Sequence, residues 1–250
     1  MPAAAASQRP IATRGAKMNY LIKRKPTTSR EELVAHWFAN HMPDVIAWHH
    51  EFKGAGKPIF WRYIATLFEA TSGGEHPWDG VAQLWWDEPQ PRPETPHGAE
   101  PTDSFQERAE PYVPWATTEY VILDGSDRLP VQPLTLNAPF PTTRSGFCKV
   151  TFLLRARAGS DYAAFFDHWL DVHVPNVQSV LARTGGFRYV VSQSLEPELE
   201  PYAGMAELYF PDRASADQFR DTIEADGMER WVDPEGTLVL RSHTEMVGVP

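Results

Sequence analysis

Apolar and polar side chains alternate with helical spacing in two separate stretches of the chain. The two stripes are Leu33, Trp37 and His41, and then Phe165, Trp169 and His173. Residues at i, i+4 and i+8 lie on one face of a helix, so the pattern predicts amphipathic helices over residues 29–41 and 160–173. We expect Pro43 and Pro175 to end these helices, because proline disfavours helical geometry in the residue before it.

The two stripes belong to a longer sequence repeat. The pattern His-Trp-x-x-x-His-x-Pro occupies residues 36–43 and returns at residues 168–175. Two copies of one structural unit are therefore predicted. On this prediction His41 and His173 lie at helix C-termini, where the helix dipole favours a protonated imidazole.

Short runs rich in aromatic and β-branched residues predict the strands around these helices. In the first copy the predicted strands are residues 19–24, 59–68, 81–86 and 117–123, with a short helix at 105–110. In the second copy they are residues 149–154, 187–193, 205–210 and 237–241, with a helix at 215–226. Each copy then has the β-α-β-β-α-β order of a ferredoxin-like unit. The predicted fold class is α+β, with the two units packing sheet to sheet as a pseudo-dimeric α+β barrel.

The proline content marks the predicted boundaries. Residues 1–17 are expected to form a disordered N-terminal tail, followed by the first unit at 18–123 and the second at 147–250. A proline-rich insertion at 88–103 is expected to form a surface loop or flap in the first unit. A linker is expected at 124–146.

Composition narrows the classes of partner. The net charge is −10, which argues against a nucleic acid or an anionic membrane as partner. No apolar run approaches the roughly 20 residues of a membrane helix. Cys148 is the one cysteine, so neither a disulfide framework nor a cysteine-based zinc site is expected. The expected location is the cytoplasm, and a further pairing of two such chains is left open.

With the two histidine motifs in place, the chain resembles the EthD family of dimeric α+β-barrel proteins. The stretch from Asp79 to Trp85, Asp-Gly-Val-Ala-Gln-Leu-Trp, carries the resemblance as well. The second copy departs there, because Ala203 stands in place of the expected aspartate. The resemblance covers about residues 18–123 and 147–250, and it implies the barrel fold. The wider superfamily includes cofactor-free oxygenases, polyketide cyclases and decarboxylases, and haem enzymes, so the fold does not select the reaction.

The repeated histidines are the first candidates for acid–base chemistry. His41 and His173 share a helix face with a tryptophan and are expected to face a pocket between helix and sheet, where an imidazole can exchange a proton near pH 7. Alternatively, each hydrogen-bonds a backbone carbonyl and stabilises the helix end. His36 is a further catalytic candidate. Asp79 is expected either to pair with His41 or to stabilise a turn.

Aromatic residues make up 12% of the chain, which fits either a tryptophan-rich core or a pocket for an aromatic ligand. The candidate substrate-binding residues are Trp37, Trp85, Tyr63, Trp169 and Tyr189. No metal site is expected, because His36 and His41 would lie about 140° apart on an α-helix. No cofactor is expected either, because no glycine-rich nucleotide motif occurs and no histidine stands out as a haem ligand. Haem stays open as an alternative, since one axial histidine is enough to hold it.

These residues predict a cofactor-independent enzyme that acts on a small aromatic or polycyclic substrate. Since some members of the resembled family are decarboxylases, we expect a lyase step, either decarboxylation or dehydration, with His41 as acid or base. Two alternatives stay open. One is a cofactor-free oxygenase of an aromatic substrate, and the other is a non-enzymatic small-molecule binder. The first half, which carries the insertion, is expected to be the active one.

Overall fold

The computed structural model describes residues 9–70, 77–131 and 139–250, which group into two compact units. The first comprises Arg14–Thr117, Leu129–Gly146 and Arg241–Pro250, and we call it the His41 unit. The second comprises Met1–Thr13, Thr118–Arg128 and Phe147–Leu240, and we call it the His173 unit. Each unit therefore includes short segments from outside the half of the chain that was predicted to form it, such as Arg241–Pro250 in the His41 unit.

The first sequence copy begins with β1 (Ala16–Ile22) and a long, interrupted helix. The helix consists of α1 (Arg30–His36), a π-helical turn (Trp37–His41) and α2 (Met42–Gly54). The strands β2 (Arg62–Leu67), β3 (Gly80–Trp86) and β4 (Trp115–Leu123) follow. The predicted helix at 105–110 forms hydrogen-bonded turns instead. The short strand β5 (Thr142–Arg144) lies within the predicted linker.

The second copy repeats this order. It contains β6 (Cys148–Leu154), α3 (Tyr162–His168), a π-helical turn (Trp169–His173) and α4 (Val174–Thr184). Then come β7 (Arg188–Ser194), β8 (Gly204–Phe210), α5 (Arg213–Thr222) and β9 (Leu238–Ser242). A further strand that the sequence did not predict, β10 (Thr244–Val249), ends the chain and pairs with β2.

The strands of both copies are ordered alike. In the first copy the order is β2-β3-β1-β4, and in the second it is β7-β8-β6-β9. The same register recurs, since Tyr63 pairs with Leu84 in the first copy and Tyr189 pairs with Leu208 in the second. The α+β fold class is thus confirmed, with the ferredoxin-like strand order in both copies, although turns replace the second helix of the first copy.

Both helix interruptions follow from the prolines, but not as the sequence predicted. Pro43 and Pro175 stand in the first turn of α2 and α4, where a missing N–H costs no helical hydrogen bond. The backbone N–H of Met42 bonds the carbonyl of Trp37 across the π turn, and Val174 bonds Trp169 in the same way. The predicted helix ends at His41 and His173 are therefore wrong, and the helix-dipole argument for these imidazoles falls with them.

Each π turn begins at a buried tryptophan that packs against a glycine. A Cβ on Gly80 would approach a ring carbon of Trp37 to 3.0 Å, and one on Gly204 would approach Trp169 to 2.5 Å. Only glycine leaves room for these rings. The repeated His-Trp and Gly-x-Ala motifs are therefore two sides of one packing contact, made once in each unit.

The ends of α1 and α3 differ. Ser29 and Glu32 form a capping box, because the Ser29 hydroxyl accepts from the Glu32 N–H at 3.2 Å and the Glu32 carboxylate accepts from the Ser29 N–H at 3.0 Å. In the second copy Asp161 caps the helix, one residue after the predicted helix start at 160.

The described part of the predicted N-terminal tail is ordered. Arg9 forms an ion pair with Asp167 at 2.5 Å, and the Thr13 N–H donates to the Glu119 carbonyl at 2.8 Å. Residues 16 and 17 belong to β1. The prediction of disorder is thus wrong for residues 9–17, and residues 1–8 lie outside the described part.

Candidate active site

A cavity of about 200 Å³ lies in the His41 unit, between the interrupted helix, the sheet and the end of the proline-rich insertion. Most of the residues that line it have ring side chains. The ring side chains are Tyr20, Trp37, His41, Trp48, Tyr63, His97, Phe105 and Tyr112, and the other lining residues are Ile22, Val45, Ala82, Leu84 and Gln106. An engineered cavity of about 150 Å³ binds benzene, so this volume suits one or two aromatic rings. No lysine or arginine lines it.

His41 forms a buried ion-pair-type contact at the cavity wall. Its Nδ1 lies 2.6 Å from Oδ2 of Asp103, and both side chains are less than one-fifth exposed. Burial of the Asp103 carboxyl acts to raise its pKa. The hydrogen bonds from His41 and from the Gln106 backbone outweigh burial, so the pKa of Asp103 lies below its usual value. With Nδ1 engaged, Nε2 is the His41 nitrogen left for a ligand.

The π turn brings two histidines to the same loop. Nδ1 of His36 lies 2.8 Å from the hydroxyl of Ser104, next to the Asp103 that bonds His41. On a continuous α-helix these two histidines would diverge by about 140°. A π turn closes i→i+5 instead of i→i+4, which brings residues five apart towards one face. His36 does not line the cavity, so the structure gives it a positioning contact.

Trp37 and Tyr63 form the floor of the cavity. Nε1 of Trp37 donates to the hydroxyl of Tyr63 at 3.1 Å, and both residues are buried. Burial raises the pKa of Tyr63, so its hydroxyl stays protonated. Phe105 packs on this floor, with its ring centroid 5.2 Å from Trp37 and 4.6 Å from His41.

Three rings lie together at another part of the wall. His97 stacks on Tyr112 with centroids 5.6 Å apart, and Tyr20 lies 5.8 Å from His97. Burial, and then the charge of His41, lower the pKa of His97. Burial also raises the pKa of Tyr20 to about 12. At neutral pH the hydroxyl of Tyr20 is therefore a hydrogen-bond donor.

Two sequence candidates of the first copy lie elsewhere. Asp79 accepts a hydrogen bond from the Arg24 N–H at 2.8 Å and forms an ion pair with the Arg24 guanidinium. Its predicted pairing with His41 is wrong, and it stabilises the strand entry instead. Trp85 is buried under the cations of Lys17 and Arg62, each 5.3 Å from a ring centroid, and it does not line the cavity. Trp85 follows cavity-lining Leu84 in β3, so it points to the opposite face of the sheet.

The His173 unit contains an equivalent histidine–carboxylate pair. Nδ1 of His173 lies 2.8 Å from Oδ2 of Asp226, which also accepts from Asn176 at 2.7 Å. Nε2 of His168 lies 3.9 Å from the other oxygen of Asp226. Burial lowers the pKa of His173, and the charge of Asp226 only partly offsets this. Both histidines of this motif therefore converge on one carboxylate.

The aromatic residues near His173 pack as a core. Phe165 stacks on Trp169 at 5.7 Å, and Trp231 stacks on Phe165 at 6.2 Å. The Trp169 indole N–H and the Tyr189 hydroxyl, both buried, make no hydrogen bond of ordinary geometry with the described residues. Trp169 still partly offsets the rise that burial causes in the pKa of Tyr189, so the Trp–Tyr contact recurs in the His173 unit in a weaker form than between Trp37 and Tyr63.

Among the described residues, no three histidine, cysteine, aspartate or glutamate side chains converge as a metal site. The His41 cavity is also a poor fit for haem. Its volume suits one or two rings, whereas a tetrapyrrole has four, and no arginine or lysine lines it to bind propionates. The predicted absence of a cofactor stays a prediction.

Sequence reasoning missed most of the site beyond the helix. Asp103, Phe105, His97 and Tyr112 come from the insertion and from the turns after it, where no periodic pattern exists. The partner aspartates, at residues 103 and 226, lie between the third and fourth strands of their copies, but other aspartates lie in the same intervals. The two do not align at the 132-residue offset that relates the histidine motifs, so the repeat did not reveal them.

One known domain family matches part of the chain. Residues 157–235 match the EthD domain. This EthD match covers less than half of the chain, and it contains the second histidine motif together with Asp226. The first copy is not matched, so a tandem pair of EthD domains stays a prediction. No curated protein matches the sequence.

Solved structures extend the fold assignment to both copies. A structure described as a "Putative Chlorite dismutase" shares 11% identity with this chain at a TM-score of 0.51, covering 92% of this chain and 94% of that one. An anthrone oxidase-like protein shares 14% identity at 0.48, covering 92% of each chain. Chlorite dismutase from Candidatus Nitrospira defluvii in complex with imidazole shares 8% identity at 0.49, covering 92% and 91%. The first of these likenesses shows the dimeric α+β-barrel fold class and nothing about the reaction.

None of the described helices is both long and apolar enough to cross a bilayer.

Proposed function

We propose that the His41 unit is an enzyme site for a small aromatic molecule, with His41 and Asp103 as its proton-transfer pair. The reaction we propose is a lyase step, decarboxylation or dehydration, without a cofactor. The observation that carries this proposal is the His41–Asp103 hydrogen bond of 2.6 Å at the wall of a ring-lined cavity.

The cavity supports an aromatic ligand. Flat rings pack favourably against tryptophan, tyrosine and phenylalanine faces, and the volume of about 200 Å³ admits a ring system of one or two rings. Trp37 and Phe105 would contact the faces of such a ligand. Trp48, which is 40% exposed, would cover the part of it nearest to solvent.

The histidine–aspartate pair supports proton transfer. Asp103 holds Nδ1 of His41 and stabilises the imidazolium that forms when Nε2 takes a proton. In a decarboxylation, this imidazolium would protonate the ring carbon as carbon dioxide leaves. In a dehydration, the neutral imidazole would take the proton from the carbon next to the one that bears the hydroxyl, and would return that proton to the departing hydroxyl, which leaves as water. His41 can serve both reactions because Nε2 can take a proton and give it back.

Tyr63 supplies a second polar group. Its oxygen already accepts the indole N–H of Trp37, so its own hydroxyl proton is free to point at a substrate oxygen. Burial keeps this hydroxyl protonated. Tyr63 would therefore orient the substrate, as the sequence suggested, and would not act as a base.

The test is a turnover screen with hydroxylated aromatic carboxylic acids, followed by carbon dioxide release and oxygen uptake. We expect product without oxygen uptake from the wild-type protein, and a loss of at least about a hundredfold in His41→Ala. His173→Ala is the matched control, because it removes the equivalent imidazole from the other unit. Circular dichroism checks the fold of each variant.

The outcomes separate the possible functions. Stoichiometric oxygen uptake would replace the lyase by a cofactor-free oxygenase with the same base. Tight binding without turnover would leave a small-molecule binder. Full turnover by His41→Ala would refute the assignment of the proton-transfer pair, and equal losses in His41→Ala and His173→Ala would refute its restriction to one unit.

The proposal includes the organisation of the chain. Two EthD-like copies at residues 18–123 and 147–250 account for the repeated motif, the repeated strand order and the repeated histidine–aspartate pair. We propose that the first copy binds and converts the substrate and that the second provides a structural counterpart. A catalytic role for His173, with Trp169 and Tyr189 as its substrate-binding residues, would follow if His173→Ala lost as much turnover as His41→Ala.

A further inference from the structure

His97 is the residue of the proline-rich insertion that lines the cavity. The insertion is fixed at this point because His97 and Tyr112 exchange backbone hydrogen bonds, 2.9 Å from the His97 N–H and 3.0 Å from the Tyr112 N–H. The two rings also stack. A loop that contains no helix or strand is thus held to the cavity wall at His97, as it is at Asp103 through the bond to His41.

A chain of four rings connects this residue to the proton-transfer pair. The ring centroids are 4.6 Å apart from His41 to Phe105, 6.3 Å from Phe105 to Tyr112 and 5.6 Å from Tyr112 to His97. The rings of Phe105 and Tyr112 therefore lie between the two imidazoles along this part of the cavity wall.

The imidazole of His97 is available to a ligand. Its ring nitrogens make no hydrogen bond with any described residue, and its side chain is exposed at the cavity opening. In His41, by contrast, Nδ1 is hydrogen-bonded to Asp103. A neutral imidazole offers one donor and one acceptor.

We propose that His97 positions the substrate by hydrogen-bonding a hydroxyl at the edge of the ring system farthest from His41. The substrate class is then a hydroxylated, fused aromatic molecule. This inference rests on the proposed function, because it takes the His41 cavity as the aromatic site. His97 is a positioning residue and takes no part in the proton transfer.

The charge around His97 favours a hydroxyl over a carboxylate as the group it binds. Partial burial of the ring and the charge of His41 lower the pKa of His97 below its usual value, which favours the neutral imidazole at pH 7.5. The tyrosine rings in contact with it are those of Tyr20 and Tyr112, whose hydroxyls are protonated because burial raises their pKa. No lysine or arginine is among the described residues that line the cavity. A carboxylate at this end would have no counter-charge, whereas a hydroxyl can both donate to and accept from the imidazole.

The test compares two probes by isothermal titration calorimetry on the full chain at pH 7.5. The probes are 2-naphthol, with one hydroxyl, and 2,6-dihydroxynaphthalene, which adds a second at the opposite edge. One net hydrogen bond corresponds to about a twofold to tenfold change in affinity. We expect the wild-type protein to prefer the diol by that factor.

The variant His97→Phe keeps a ring on Tyr112 and removes both nitrogens. We expect it to bind 2-naphthol within about twofold of wild type and to lose its preference for the diol. His50→Phe, at an exposed position of α2 outside the cavity lining, is the matched control and should keep the preference.

The outcomes distinguish the two proposals. An equal diol preference in wild type and His97→Phe, or no preference in wild type, would overturn the role of His97 and leave the aromatic site standing. Failure of both probes to bind the wild-type protein would overturn the aromatic site, and this inference with it. A preference lost only in His97→Phe supports both.

Discussion

Replacing Asp103 by asparagine changes the proton-transfer pair with little change in shape. Asparagine keeps an oxygen that can accept from the Gln106 N–H, which now donates to Asp103 at 2.8 Å. It removes the negative charge beside His41. Its amide can also donate to Nδ1, which would move the imidazole proton to Nε2, the nitrogen left for the ligand.

The size of the effect follows from the 2.6 Å contact between His41 and Asp103. A hydrogen bond to a charged group contributes about 1.5–3 kcal/mol. If this stabilisation acts on the imidazolium in the transition state, its loss lowers kcat by about tenfold to 150-fold, since each 1.36 kcal/mol is a factor of ten. The carboxyl is largely buried, so solvent screening reduces the effect less than it would at the surface.

Two assays measure the consequence. Steady-state kinetics with the substrate found by the screen gives kcat and KM, and we expect the loss in kcat. Nitrogen-15 NMR of the imidazoles needs no substrate and reports the tautomer directly. We expect neutral His41 to carry its proton on Nδ1 in wild type and on Nε2 in Asp103→Asn.

Asp226→Asn is the control, because it makes the same change in the pair of the His173 unit. It should leave kcat and the His41 tautomer as they are in wild type. Unchanged kcat and tautomer in a folded Asp103→Asn variant would refute the reasoning. A loss of kcat in Asp226→Asn as large as that in Asp103→Asn would show that the first copy does not act alone.

Three further predictions follow from the same residues. Tyr63→Phe leaves the buried Trp37 N–H unpaired and should lower the free energy of unfolding by about 1–3 kcal/mol in urea titrations, whereas Tyr189→Phe, which removes only the weaker contact with Trp169, should lower it by less. The pKa values of Asp103 and Asp226 in the folded protein lie below 3.8. The two ionised carboxylates therefore stabilise the fold above pH 3.8, and this stabilisation is lost as the pH falls through their folded-state pKa values. Urea unfolding midpoints measured between pH 6 and pH 2.5 will show the loss. The absorption spectrum should contain only the tryptophan and tyrosine band, and a Soret band would contradict the poor fit to haem.

The strands and the repeat could be predicted because their signals are local and periodic. A run of β-branched and aromatic residues such as 205–210 specifies a strand without reference to distant parts of the chain. The observed strand boundaries, Gly204–Phe210 for example, differ from the predicted ones by a few residues. The strands β5 and β10 were missed because each is short and depends on pairing with a distant segment.

The site could be predicted only on its helical side. Trp37, His41 and Tyr63 were found because they lie at regular positions on a helix and a strand. Asp103 and His97 lie in turns and in the insertion, where contacts at 62 and 15 residues' separation, to His41 and Tyr112, determine their position. Such contacts leave no pattern in a single sequence.

The proline of each motif links the helix to the site. A proline in a continuous α-helix would clash with the carbonyl four residues before it, which for Pro43 is that of Ala39. The π turn at Trp37–His41 widens the helix just before the proline and removes that conflict. The same widening rotates His36 and His41 towards one side, where they bond the adjacent residues Ser104 and Asp103. The spacing His-Trp-x-x-x-His-x-Pro is therefore what lets one helix present two imidazoles to one loop. The recurrence of the π turn, the proline and the carboxylate in the His173 unit supports the same physical cause there.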